Sequence, residues 1–284
     1  MSSLKSALCA AACVLGIGHA SATQLNLLWY SYAAPTSDYK NFYTTLAGAE
    51  NWNLTFFGPT DPTPVFSAYN VLVIESGEAF STGPAPGPPF ATPDYSGILN
   101  NEAAIESARG NRTIISGSDA DFHAVVGASG VCPGCFDGAR GYVINSVNWA
   151  AAGADLGILS FYDGAFPGSF WWDDPNSFLR AELQGYVLDF ARGENTAIIN
   201  PVEATYPMNQ GLTSLGLSNW HNSFHAGFLA SIPGYTATVD SGSHPGYVLS
   251  LARVASVPEP GTCALLLAGL GLLGLVGRRK RQAR

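Results

Sequence analysis

The pattern of apolar and polar positions sets out the elements first. Leu25 to Tyr32, Leu54 to Phe57, Val71 to Glu75, Thr113 to Ser116 and Leu156 to Phe161 are short apolar runs without polar alternation. Strands covered on both faces read this way. Between them lie amphipathic stretches. Ser37 to Ala49 follows the first strand, and Ser96 to Arg109 carries Ile98, Leu99 and Ile105 and stops at Gly110. Ala139 to Ala152 starts after Asp137, an N-cap candidate, and ends at Gly153. A fourth helix is expected from Asp174-Pro175 to Gly193, with Phe178, Leu183, Tyr186, Val187 and Phe190 as its apolar stripe. Tyr235 to Asp240 and Tyr247 to Val254 read as two late antiparallel strands, and Gly83 to Pro93 as a Pro-rich loop. Alternating strands and helices predict an α/β fold with an open, doubly wound, mainly parallel sheet, whose ligands belong at the C-terminal strand ends.

The two ends do not belong to that fold. Lys5, the apolar run Ala7 to Gly18 and Ala20-Ser21-Ala22 form a secretory signal peptide, residues 1–22, with cleavage by signal peptidase after Ala22. Residues 23–256 are then the extracytoplasmic domain and residues 257–284 a tail. The tail holds Val257-Pro258-Glu259-Pro260, 17 uncharged residues from Gly261 to Gly277, and Arg278-Arg279-Lys280-Arg281. As a helix those 17 residues reach ~25 Å, just short of a ~30 Å hydrocarbon core, a gap that flanking arginines close by snorkelling. The basic cluster places residues 278–284 in the cytoplasm and the domain outside. In order and spacing the three parts resemble the PEP-CTERM sorting signal. That resemblance implies export, a transient inner-membrane anchor and processing by an exosortase-type transpeptidase that reads Val257, Pro258, Glu259 and Pro260. It also implies delivery to the cell surface or extracellular matrix of a bacterium that makes exopolysaccharide.

Removing both ends changes the charge. Residues 23–256 keep seven Lys and Arg against 20 Asp and Glu, a formal charge of −13 where the whole chain has −8. An acidic surface repels phosphate backbones, which argues against nucleic acid as a partner. Cys132 and Cys135 are the two cysteines of the domain, and in an oxidising compartment Cys-Pro-Gly-Cys reads as a small disulfide loop.

Candidate chemistry gathers at predicted strand ends. The element order resembles the flavodoxin-type sheet of class I glutamine-amidotransferase-like domains, ThuA-like proteins in particular. Such amidotransferases carry a Gly-x-Cys-x-Gly elbow. The matching turn here is Gly117-Ser118-Asp119-Ala120-Asp121, with Asp119 in the Cys position, so glutaminase chemistry is not expected. Asp119, Asp121 and His123 then read either as a ligand site or as helix and turn caps. No cofactor is required by this pattern, Ca²⁺ being the one ion the carboxylates would suit. Glu75-Ser76-Gly77-Glu78 ends the neighbouring strand. His221 and His225 are four apart, which on a helix makes a two-ligand metal pair or plain packing. Trp171, Trp172 and Asp173 read either as a sugar-stacking loop or as cover for the sheet. The function expected is a non-catalytic, polysaccharide-associated binding or structural module, with a secreted hydrolase of sugar or acyl linkages as the alternative.

Overall fold

A computed structural model of the chain describes residues 24–31, 37–76, 94–128, 136–162, 171–218, 220 and 224–255. In chain order the elements are β1 (Leu25–Tyr30), α1 (Ser37–Ala49), β2 (Trp52–Phe57), β3 (Val71–Ile74), α2 (Ser96–Leu99), α3 (Glu102–Ala108), β4 (Arg109–Ser116), α4 (Ala120–Ala128), α5 (Phe136–Ala151) and β5 (Leu156–Ser160). They continue as α6 (Arg180–Leu183), β6 (Val187–Glu194), β7 (Ala197–Ile198), α7 (Ser214–Ser218), β8 (Phe224–Leu229), β9 (Tyr235–Ser241) and β10 (Tyr247–Val254). Short 3₁₀ turns stand at Trp171–Asp173, Glu203–Thr205 and Pro207–Asn209, among others.

The result is a mixed α/β fold on one sheet, ordered β2-β1-β3-β5-β4-β10-β8-β6, with β9 joining β10 to β7. The first five strands of that order are parallel. The remainder pairs antiparallel, beginning with β10 on β4. Side chains alternate across the sheet, as a two-residue period requires. Leu27, Trp29, Val71, Val73 and Ile114 enter one core with Tyr39, Tyr43, Tyr142, Val143 and Val147 of α1 and α5. Leu28, Tyr30, Leu72, Ile74 and Ile115 enter the other with Ile98, Ile105 and Leu183. All five sheet residues named for each core are fully buried, which is why these runs lack polar alternation.

Several expectations are corrected. The stretch 174–193 is not one helix. Asp174 Oδ1 accepts from the Asn176 N–H in a local turn, Gly185 takes φ +81°, and Val187 starts an antiparallel strand on β8. A left-handed residue ends any helix there, although Phe178 and Leu183 are buried as their spacing suggested. The segment 96–109 is two short helices, and β4 begins at Arg109, four residues before the expected start. Helix α5 begins at Phe136, so Asp137 lies in its first turn and does not cap it. The antiparallel part is larger than the two strands expected, because β6, β7 and β8 join it. The signal peptide, the Cys132–Cys135 loop and residues 257–284 lie outside the described residues. Among those described, no helix is long and apolar enough to cross a membrane.

Candidate functional site

The C-terminal ends of β3 and β4 carry the most concentrated buried polarity. At the end of β4, Gly117 passes so close to β8 that a Cβ there would stand 1.9 Å from the Ala226 carbonyl oxygen. His225 and Ala226 both donate their backbone N–H to the Gly117 carbonyl, at 2.6 and 3.2 Å. A side chain at residue 117 would force the two strands apart. Glycine thus brings β8 against the turn that opens α4, and His225 comes with it.

His225 is the consequence. Its Nε2 lies 3.4 Å from Asp119 Oδ2, and Nε2 of His123, one turn along α4, lies 3.2 Å from the same oxygen. Asp119 and His123 are buried, at 2 % and 6 % exposure. Burial alone would raise the Asp119 pKa. The two imidazoles outweigh it and hold the carboxyl well below the usual carboxylate range. Asp119 is therefore ionised and clamped between two rings. The ring of His123 lies 5.7 Å from that of Trp220, itself fully buried, so one face of the imidazole is fixed.

Asp121 faces elsewhere. Its Oδ2 accepts from the Tyr39 hydroxyl at 3.1 Å and the Ser76 N–H at 3.0 Å, and its carbonyl accepts from the Tyr43 hydroxyl. Burial pushes its carboxyl up to about 6, helped by the charge on Asp119 and opposed by the Ser76 N–H bond. The three residues grouped from the sequence thus divide into an Asp119–His123–His225 clamp and an Asp121 tie that joins α4 to α1 and β3. Four atoms of this region, Ser76 Oγ, Asp119 Oδ1, Asp121 Oδ1 and His123 Nδ1, are buried with no hydrogen-bond partner. Neither carboxylate is directed at helix N–H groups as a cap would be. The capping alternative gives way to ion pairing at Asp119 and to tyrosine and backbone donors at Asp121.

The turn also differs from a nucleophile elbow, in which the reactive residue sits on a strained backbone. Among the described residues the only non-glycine residues with positive φ are Asn51 and Asp155, so Asp119 is not strained in this sense. The Ser118 hydroxyl lies 2.8 Å from that of Ser116.

The remaining candidates are placed as follows. His225 is on strand β8, which removes the helical His221–His225 pair, and His221 lies outside the described residues. Among the described residues no group of three or more His, Cys, Asp or Glu side chains is arranged to hold a metal ion. Trp171 and Trp172 are buried, at 2 % and 0 % exposure, and only Asp173 is exposed. Trp172 donates through Nε1 to Ser160 Oγ and packs on Tyr162 and Phe228. The two indoles cover the sheet and offer no ring face to a sugar. The sequence reading missed His225 as a partner of Asp119, because a 106-residue separation hides the contact. The one local signal was Gly117, which marks a close backbone approach without saying to what.

The comparisons with known proteins bear on the tail. The PEP-CTERM protein-sorting motif matches residues 256–281, which implies processing by an exosortase-type sorting enzyme and export to the cell surface through a transient membrane anchor. No curated protein and no solved structure matches the chain, so nothing supports the likeness of the domain to amidotransferase-like proteins.

Proposed function

We propose that the chain is an exosortase-processed surface or extracellular-matrix protein whose α/β domain is a non-catalytic, polysaccharide-associated binding or structural module. The observation that carries the non-catalytic reading is Asp119. It lies in the turn after β4 on an unstrained backbone, with one oxygen engaged by two imidazoles. A carboxylate held in that way is a poor nucleophile. The oxygen that meets the imidazoles has its lone pairs directed at donors. Association with polysaccharide is supported by the sorting signal and by the implied setting, the buried tryptophans adding nothing to it.

The test uses the exported, processed protein. It is sedimented with exopolysaccharide of its own producer and, separately, incubated with glycoside and ester substrates. Co-sedimentation without turnover is the expected result. Turnover that disappears in Asp119→Ala would replace the proposal by the hydrolase reading. One observation favours that second reading: His123 is oriented through Nε2 by a carboxylate while its Nδ1 is buried without a hydrogen-bond partner.

A further inference from the structure

The first and last strands of the domain begin and end on one edge of the sheet. The parallel strands β1, β2, β3, β4 and β5 all begin on this edge. Strand β1 starts at Leu25, three residues after the signal-peptide boundary at Ala22. The last strand, β10, runs antiparallel to β4 with Val254 opposite Arg112, so it ends where β4 begins. The Ala255 N–H donates to the Asn111 carbonyl at 2.8 Å and fixes the exit. From Val254 to Val257 is three residues, a reach of ~10 Å at most, and Gly261 follows four residues later. β10 is not a strand that peels away, since it pairs with β4, β8 and β9. Its end is further secured by Arg253, which pairs with Glu182, and Glu182 accepts two bonds of 3.0 Å from Arg109.

Charge distinguishes the same edge. The domain has seven Lys and Arg, namely Lys40, Arg109, Arg112, Arg140, Arg180, Arg192 and Arg253. Three of them, Arg109, Arg112 and Arg253, stand around the exit of β10: Arg109 pairs with Glu106 and Glu182, Arg253 with Glu182, and Arg112 donates to the Trp149 carbonyl. The exit therefore holds three of the seven cations of a domain of formal charge −13. An anionic surface repels this part of the molecule least.

Building on the sorting reading above, we propose that in the unsorted precursor this edge is the membrane-facing surface. Lipid headgroups of the inner membrane are its partner, and the Asp119 clamp is turned away from them. The eight residues of β10 put the two edges ~26 Å apart at ~3.3 Å per residue. From Val254 to the apolar run at Gly261 the tether is seven residues, at most ~25 Å when extended, no longer than the distance between the two edges, which limits inversion of the domain. Sorting would then cut the chain close to the domain, and a ligand at the far edge would stay reachable before and after release.

The test traps the precursor with Pro258→Ala and Pro260→Ala and places a photo-cross-linking benzophenone amino acid at one position at a time. Ala154 and Glu106 are exposed positions near the exit, and Asp173 is exposed beside the end of β5. Illumination of membranes should give lipid adducts at 154 and 106 at least several-fold above those at 173, and none at any position in the released wild-type protein. Equal or greater lipid adducts at 173, or adducts at 154 and 106 to protein only, overturn the orientation while leaving the sorting reading intact. A trapped precursor absent from the membrane fraction overturns both, and is recognised by fractionation before any illumination.

Discussion

At the scale of single residues the two aspartates differ, and pH separates them. Asp119 has a lowered pKa in the folded protein, so its stabilisation is present above its unfolded value near ~3.9 and is lost as pH falls below that. Asp121 has the opposite sign. With a folded pKa of about 6 it holds a proton the unfolded chain has given up, so its contribution falls as pH rises from ~4 to ~6. That difference corresponds to about 3 kcal/mol of destabilisation at pH 7. Asp121→Asn, which keeps an acceptor for Tyr39 and Ser76, is expected to melt higher than wild type at pH 7, with the difference closing toward pH 4. A lower melting temperature at both pH values would contradict the assignment. At Asp119 the comparison is Asn against Ala. A cap would tolerate Asn, whereas an ion-pair clamp tolerates neither, so each change should lower stability by about 3 kcal/mol in denaturant unfolding at pH 7. A near-neutral Asp119→Asn would restore the capping reading.

At the scale of elements two glycines give opposite expectations. Gly117→Ala sets a Cβ 1.9 Å from the Ala226 carbonyl and must displace β8, carrying His225 away from Asp119. A loss of more than about 2 kcal/mol is expected, together with a weaker effect of any later Asp119 substitution. Gly48, in the last turn of α1, has nothing within 4 Å of its Cβ position. Gly48→Ala should gain about 0.5–1 kcal/mol through helix propensity alone. Equal effects at the two positions would mean that the close approach of β4 and β8 is not real. The same elements show what the sequence could convey. Runs such as Val71 to Ile74, buried on both faces, announce themselves by composition. The stretch 174–193 misled because burial is shared by helices and strands. Phe178 and Leu183 are buried as a helical stripe would be, yet Gly185 at φ +81° turns the chain into β6. Of the candidate site, Asp119 and His123 were legible because they are four residues apart. The contact with His225 depends on strand order, which no local pattern encodes. For Trp171 and Trp172 the residue types suited either reading, and only the packing against Ser160, Tyr162 and Phe228 separates them.

At the scale of the molecule, a mostly parallel sheet carries its buried polar clamp on one edge and its route to the sorting signal on the other. The described strands end at Val254, before the sorting motif at residues 256–281, so the account expects domain and tail to act separately. Asp119→Ala should accordingly leave the processed fraction unchanged, provided the variant is folded, and fractionation against wild type checks it. The central claim is that the tail is a sorting signal, and it rests on residues 256–281. The most direct measurement follows the mass and location of the protein in its producer when Pro258 and Pro260 are changed to Ala. The account predicts wild-type protein at the surface or in the matrix without its apolar tail, and variant protein retained in the inner membrane with the tail intact. Release of the variant at the wild-type rate and mass would contradict it.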